Sequence, residues 1–300
     1  MTAPREISTI GVIGGGTMGR GIAIAALRAG LDVTLVEISP DARAAVAGAI
    51  DDYFHRHGDS AAAAGSLAVT DSLDGALSTA DAVIEAAPEL PDLKNEIFRS
   101  LAAAPPDVLL ASNTSTISIA TLAGACGGTP RVVGMHFFNP AHRMPLVEVI
   151  TAPTTTAPWR DAAVALARRL GKQPVVVADT PGFVTSRLGL VLGTEAMRMV
   201  QEGVASAADI DTAMRLGYGY PMGPLELADL VGLDARLNNL RSMFERTGAA
   251  AYRPPEVLID LVAEGRFGRK SHHGFFDYDA DGARIDGRPG ARQESEDRRT

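Results

Sequence analysis

The chain has 300 residues, 46% of them hydrophobic, with a formal net charge of -8 and a pI near 5.3. That is enough apolar material for a large core and two domains, while the acidic balance argues against nucleic acid or an anionic membrane as the main partner. Cys126 is the only cysteine, so no intrachain disulfide can form, which suits a reducing, cytoplasmic setting; no apolar run of about 18 residues marks a membrane helix, and the N-terminus shows no signal-peptide h-region.

Residues 7–13 form a short β-rich apolar run. It meets Gly14-Gly15-Gly16-Thr17-Met18-Gly19, and an Ala-rich helical run follows to residue 29. Gly14, Gly16 and Gly19 have the Gly-x-Gly-x-x-Gly spacing. The first allows the tight turn, the second lets a pyrophosphate approach the backbone, and the third lets helix and strand pack closely. The helix N-terminus, which includes Thr17 and Met18, offers free N–H groups and a partial positive charge to phosphates. A glycine triplet alone is a weak signal; its place between a strand and a helix strengthens it. A second strand, 31–37, ends at Glu37. A carboxylate there accepts hydrogen bonds from a ribose 2′-hydroxyl and repels a 2′-phosphate, which predicts NAD rather than NADP. Its nearest downstream arginine is Arg43.

A helix is expected over 41–54, and 61–67 is Ala-rich and ambiguous. Strands are expected at 67–70, 81–87, 108–112, 131–136, 147–150 and 173–178. Helices over 93–104, 117–123 and 159–170 lie between them. The alternation predicts an α/β fold with a doubly wound, mostly parallel Rossmann-type sheet. Near Pro181-Gly182 the pattern becomes helical, with helices expected at 184–201, 208–216, 225–247 (broken at Gly232) and 257–264. The expected organisation is a cofactor domain over 1–182, an all-helical C-terminal domain over 183–280, and a charged, Gly-containing, disordered tail over 281–300.

A second chemistry-bearing stretch is Gly134-Met-His136-Phe-Phe-Asn139-Pro140, followed by Leu146-Val-Glu148. His136 falls at a strand end, at the edge where open α/β sheets bind ligands. Glu148 lies far enough along for a strand–turn–strand return beside it. A carboxylate on one imidazole nitrogen fixes the tautomer and leaves the other nitrogen as a base. Oxidation of an alcohol needs such a base, because hydride leaves to a nicotinamide and the hydroxyl proton must go elsewhere. The residues alone read equally well as a packed histidine, with His142, His272 and His273 as competitors.

At these motifs the sequence resembles the 3-hydroxyacyl-CoA dehydrogenase family, and within it the short-chain, 3-hydroxybutyryl-CoA type. The resemblance runs through Gly-Val-Ile-Gly-Gly-Gly-Thr-Met-Gly at 11–19, Asp-Ala-Val-Ile-Glu-Ala-Ala-Pro-Glu at 81–89, Ala-Ser-Asn-Thr-Ser at 111–115 and His-Phe-Phe-Asn-Pro at 136–140. It continues through Pro-Gly-Phe-Val at 181–184, Pro-Met-Gly-Pro at 221–224, Asp-Leu-Val-Gly-Leu-Asp at 229–234 and Gly-Arg-Lys at 268–270. It implies that His136 is the catalytic base, Glu148 its carboxylate partner and Ser115 a hydrogen-bond donor to the substrate. It also implies that Asn113 and Glu89 line the nicotinamide side with Lys94 near them, and that Glu37 is the ribose ligand. For Ser115 the competing reading is a hydroxyl-capped turn, and for Glu89 and Lys94 a surface ion pair.

The chain departs from the family pattern at Ser186, where asparagine is usual, and at Ser271-His272-His273, where Thr-Gly-x is usual. Ser186 is placed in the catalytic set by its position. The resemblance further implies an acyl-CoA substrate in fatty acid or related metabolism, a C-terminal domain that closes the substrate cleft, and a homodimer without a metal. Two alternatives remain at this stage: a dehydrogenase of a small polar hydroxy compound such as carnitine or gulonate, and a non-catalytic NAD-binding protein on the same fold.

Overall fold

The computed structural model describes residues 2–57 and 65–285. The chain divides into two compact units, Met1–Phe183 and Val184–Thr300.

Unit 1 is built on eight strands: β1 (Thr9–Ile13), β2 (Asp32–Val36), β3 (Leu67–Thr70), β4 (Ala82–Glu85), β5 (Leu109–Ser112), β6 (Val132–Phe137), β7 (Leu146–Thr151) and β8 (Gln173–Ala178). They form one sheet in the order β3-β2-β1-β4-β5-β6-β7-β8. Pairing is parallel except between β6 and β7. β1, β4, β5 and β6 are buried almost throughout, as a sheet covered on both faces requires, and their sequences are accordingly apolar without alternation.

One face is covered by α1 (Thr17–Arg28), α2 (Pro40–His57) and α6 (Ala157–Arg169), with Ile22, Leu27, Ile50, Trp159 and Leu166 against Ile10, Val12 and Leu35. The other carries α3 (Leu73–Thr79), α4 (Pro91–Leu101) and α5 (Ile119–Ala125), with Leu77, Phe98, Leu101 and Leu122 against Val83 and Leu110. The order reverses direction between β1 and β4, which creates a crevice at their carboxyl ends. α3 is not apparent in the sequence: it is one short helix with Gly75 inside, held by the Ser72 hydroxyl accepting from Gly75 N at 3.1 Å. Residues 61–64 of the ambiguous Ala-rich stretch lie outside the described residues.

Unit 2 contains α7 (Thr185–Gln201), α8 (Ala207–Tyr218), α9 (Pro224–Val231), α10 (Leu233–Thr247) and α11 (Glu256–Ala263) around Leu190, Met197, Leu225, Leu240, Met243 and Leu258. Gly232, at φ +101, separates α9 from α10, a conformation that other residues reach only with strain. Two buried aspartates act as acceptors for backbone N–H groups. Asp211 takes Leu225 N and Glu226 N at the start of α9. Asp229 takes Phe275 N, Phe276 N and the Tyr278 hydroxyl, and so fastens the C-terminal segment; burial pushes its carboxyl up to about 6 despite these donors.

The segment expected to be tail begins in an ordered turn. Ala283 O accepts from Asp279 N and Asp277 O from Ile285 N, both at 2.9 Å, and the Arg284 guanidinium lies 3.7 Å from the centre of the Phe276 ring. A cation over an aromatic face accounts for this order where composition alone suggests none. Residues 286–300 of the expected tail lie outside the described residues.

Candidate active site

The glycine turn has the shape its spacing predicts. Gly14 has φ +100, and a Cβ there would stand 2.9 Å from Ala86 O. A Cβ on Gly19 would collide with the Gly14 carbonyl, so the helix approaches the turn as closely as backbone allows. A Cβ on Gly16 would meet nothing within 4 Å. The start of α1, which carries Thr17 and Met18, has no side-chain cap and no acidic residue in its first turn. Its N–H groups therefore face open space with the positive end of the helix behind them. Glu37 sits alongside: one carboxylate oxygen accepts from Gly15 N and the other from Ser39 N, each at 2.9 Å. The Arg43 guanidinium lies nearer than the sequence suggests. It donates to the Glu37 carbonyl at 2.9 Å and pairs with Asp71 at 3.2 Å.

His136 and Glu148 come together through strand register. β6 and β7 are antiparallel, with His136 directly opposite Glu148, so both side chains project from the same face. His136 Nδ1 is 2.7 Å from Glu148 Oε2, both residues being buried. The carboxylate accepts the Nδ1 proton and leaves the Nε2 lone pair outward. The Ser115 hydroxyl lies 3.1 Å from Nε2 and donates to it. Phe138 and Phe183 flank the imidazole, with ring centres at 4.6 and 5.9 Å. The competing histidines lie elsewhere. His142 packs edge-on against Tyr53, and burial lowers its pKa, whereas His272 and His273 are exposed in unit 2.

Ser115 is positioned by Glu89. One Glu89 oxygen accepts from Ser115 N, Thr116 N and the Thr114 and Thr116 hydroxyls. Burial pushes this carboxyl up, but Lys94 and the donors outweigh burial and hold it below the usual carboxylate range. About a third of its side chain, 37%, stays exposed. Asn113 accepts from Phe137 N at 2.8 Å through its side-chain oxygen, so it ties the end of β5 to the end of β6 and keeps its amide N–H groups for a neighbour.

Lys94 does not form the surface pair that was its competing reading, because its side chain has no exposed surface. Its ammonium lies 2.6 Å from Glu85 Oε1, 3.2 Å from Ala87 O and 3.5 Å from Glu89 Oε2. Glu85, fully buried at the end of β4, also accepts from the Ser112 hydroxyl at 2.6 Å and from Ala87 N at 2.7 Å. Glu85 and Ser112 escaped the reading of the sequence. The available signal was an ionisable residue inside an otherwise apolar buried strand. Lys94 thus acts through two carboxylates to hold the β4 and β5 edges. Ser186 lies in unit 2, in the first turn of α7.

A family model, "3-hydroxyacyl-CoA dehydrogenase, NAD binding domain", matches residues 9–180, and its companion, "3-hydroxyacyl-CoA dehydrogenase, C-terminal domain", matches residues 182–278. The chain belongs to the 3-hydroxyacyl-CoA dehydrogenase family. It is 38% identical over 281 residues to the 3-hydroxybutyryl-CoA dehydrogenase of Bradyrhizobium diazoefficiens, covering 91% of this chain and 96% of that one. Among solved structures it is similar to M. tuberculosis FadB2, with a TM-score of 0.85, 38% identity, and 92% of this chain and 100% of that one covered. It is also similar to (S)-3-hydroxybutyryl-CoA dehydrogenase PaaH1 from Ralstonia eutropha, with a TM-score of 0.84, 38% identity and coverages of 91% and 100%. The family is one of NAD-dependent oxidoreductases, and the open Gly16 face beside uncapped N–H groups fits the pyrophosphate of that cofactor.

Replacing Glu37 by alanine is expected to narrow the preference for NADH over NADPH by about tenfold, the worth of one charge-assisted hydrogen bond. Arg43, already at the site, strengthens the expectation, since it remains to meet a 2′-phosphate. Comparison of kcat/KM for the two cofactors in wild type and Glu37→Ala checks it.

Proposed function

We propose that this enzyme interconverts a (3S)-3-hydroxyacyl-CoA and the 3-oxoacyl-CoA, with a short acyl group such as 3-hydroxybutyryl. The observation that carries the reading is the hydrogen-bonded line Ser115–His136–Glu148, mounted on the sheet that also carries the open glycine turn. In the oxidative direction the substrate hydroxyl would take a place between Ser115 Oγ and His136 Nε2. His136 would remove its proton, and Glu148 would stabilise the imidazolium through Nδ1–H. The carbon bearing that hydroxyl would give up its hydride, for which NAD, when bound, would supply the acceptor. In reduction His136 returns the proton to the carbonyl oxygen, while the Ser115 hydroxyl donates to the developing negative charge. Ser186 belongs to the proposed catalytic set through its position in the family pattern. Glu89 and Asn113 are proposed to border the nicotinamide, with Thr17, Met18 and the three glycines at the pyrophosphate and Glu37 at the ribose.

The family resemblance supports placing acyl-CoA recognition and dimerisation in unit 2. Its surface carries large exposed apolar side chains, among them Leu216, Tyr218, Leu230 and Val231, which suit a homodimer contact. A cytoplasmic location and a place in fatty acid metabolism agree with the single buried cysteine and with the relatives' substrates. No helix among the described residues is long and apolar enough to cross a membrane.

The test is NADH oxidation against 3-oxoacyl-CoA esters of increasing chain length, with carnitine and gulonate assayed in the NAD-reducing direction. The expected result is turnover of a short 3-oxoacyl-CoA and none of the small polar alcohols. Turnover of carnitine or gulonate alone would select the first alternative. No turnover of any of these would select a non-catalytic NAD-binding role.

A further inference from the structure

The ammonium of Lys94 lies between two carboxylates with different surroundings. An ammonium carries three N–H groups, and three acceptors stand around this one: Glu85 Oε1 at 2.6 Å, Ala87 O at 3.2 Å and Glu89 Oε2 at 3.5 Å. Glu85 is enclosed, and its further bonds go to the Ser112 hydroxyl and to Ala87 N inside the fold. Glu89 reaches out of the core, and its other oxygen holds the turn on which Ser115 sits. One cation therefore serves a carboxylate that concerns the fold and a carboxylate that touches the site.

Glu89 gathers that turn on a single oxygen. Its Oε1 accepts from the Thr114 hydroxyl at 2.5 Å, from Ser115 N and Thr116 N at 2.9 Å each, and from the Thr116 hydroxyl at 3.1 Å. The Thr114 hydroxyl in turn accepts from Ile117 N at 2.8 Å, so the turn closes around the carboxylate. Four donors on one oxygen call for a full negative charge, because the oxygen of an amide or of a protonated carboxyl holds fewer and holds them more weakly. Burial pushes this carboxyl up, and Lys94 is the strongest of the groups that oppose it. In the middle of the turn is Ser115, with its hydroxyl 3.1 Å from His136 Nε2. Hydrogen bonds weaken steeply with distance and angle, so a displaced turn loses both the bond to the imidazole and the aim of the hydroxyl at a developing oxyanion.

We propose that Lys94 is a positioning residue for the reaction: by fixing the Glu89 carboxylate it fixes the turn 114–116, and so sets where the Ser115 hydroxyl stands relative to His136 Nε2. The inference rests on the proposed function, in which Ser115 and His136 act on the reacting oxygen. What Lys94 gives to stability through Glu85 is separable from what it gives to alignment through Glu89. A neutral pair at positions 85 and 94 leaves no unpaired charge in the core. It also leaves Glu89 without its cation, so the fold is kept while the turn that carries Ser115 loses its support.

The experiment measures kcat for a short 3-oxoacyl-CoA with NADH, as a function of pH, in the wild type and three variants: Glu85→Gln with Lys94→Met, Glu89→Gln alone, and all three changes together. Urea unfolding first establishes that each variant folds. The Glu85→Gln, Lys94→Met variant is expected to lose about tenfold in kcat near neutral pH, less than the ~10²–10³ that follows outright loss of an oxyanion donor, since Ser115 is displaced and not removed. Its acid limb is expected about one pH unit or more above that of the wild type. Without the cation Glu89 takes up a proton more readily as pH falls, and the protonated group lets go of part of the turn. His136 must carry a proton in this direction and limits the alkaline side instead. Glu89→Gln is expected to show the same loss in kcat without that limb, and the combined variant to be no worse than Glu89→Gln, because Lys94 then has nothing left to act on. A folded Glu85→Gln, Lys94→Met variant with the kcat and pH profile of the wild type would overturn the proposal. So would losses that add in full in the combined variant, the mark of residues acting independently. Should the variants without Lys94 fail to fold, Glu89→Gln decides alone, because it keeps the buried Lys94–Glu85 pair, and an unchanged kcat there would overturn the proposal. A wild type that turns over no 3-oxoacyl-CoA defeats the proposed function, whereas wild-type turnover with unaltered variants defeats this inference alone.

Discussion

Replacing His136 by alanine is expected to lower kcat by about two to four powers of ten, the usual contribution of a positioned acid–base group. Nε2 is the one atom placed both to share a hydrogen with Ser115 and to have its other ring nitrogen held by a carboxylate. NADH affinity should hardly change, because the glycine turn and Glu37, the proposed dinucleotide site, do not involve the imidazole. Glu148→Gln should lower kcat less. The amide oxygen can still accept the Nδ1 proton, so the ring stays oriented, and what is lost is the negative charge opposite the imidazolium. Steady-state kinetics on a short 3-oxoacyl-CoA, together with NADH titration, separate the two effects. Near-normal turnover in His136→Ala would remove the histidine from its role.

The largest effect on stability is expected at Lys94. Lys94→Met leaves the Glu85 carboxylate fully buried with a hydroxyl and a backbone N–H but no cation. Removing one partner of a buried ion pair costs about 3–5 kcal/mol. Urea unfolding followed by the fluorescence of Trp159, the single tryptophan, which lies buried in unit 1, reads this loss directly. The double change Glu85→Gln with Lys94→Met should recover a good part of it, since no unpaired charge then remains. A loss below about 1 kcal/mol in the single variant would mean that water reaches the pair.

What could be read from the sequence follows the range over which each feature is determined. The glycine turn is local: every requirement on Gly14, Gly16 and Gly19 concerns backbone within a few residues or one neighbouring carbonyl. The alternation of strands and helices is equally local, and so is the break at Gly232. The His136–Glu148 pair was legible as a spacing, but its contact depends on β7 turning back antiparallel, which no single-residue preference encodes. The burial of Lys94 was not legible because its surroundings come from distant chain. A lysine with Glu89 nearby on a helix start looks like a surface residue until β4 and β5 bring Glu85 and Ser112 underneath it. The segment 281–285 was misread for a related reason, since the Phe276 ring that receives Arg284 becomes available only once Asp229 has fastened residues 275–278.

The antiparallel register of β6 and β7 also decides how this enzyme can vary without losing its dyad. Residues 138–145 connect the two strands, and their number has no bearing on which residue stands opposite His136, because that pairing is set by the ladder itself. Beyond Phe138, which flanks the imidazole, and the buried Ala141, the connection can therefore change in length without shifting that pairing. A single residue gained or lost inside β7 ahead of Glu148 has the opposite consequence. It turns the carboxylate to the other face of the sheet and brings a buried valine against the imidazole, Val147 or Val149 according to the direction of the slip. Length variation in this chain thus falls into two classes, one in the loop that leaves the pairing in place and one in the strand that abolishes the dyad, with a boundary only a few residues wide.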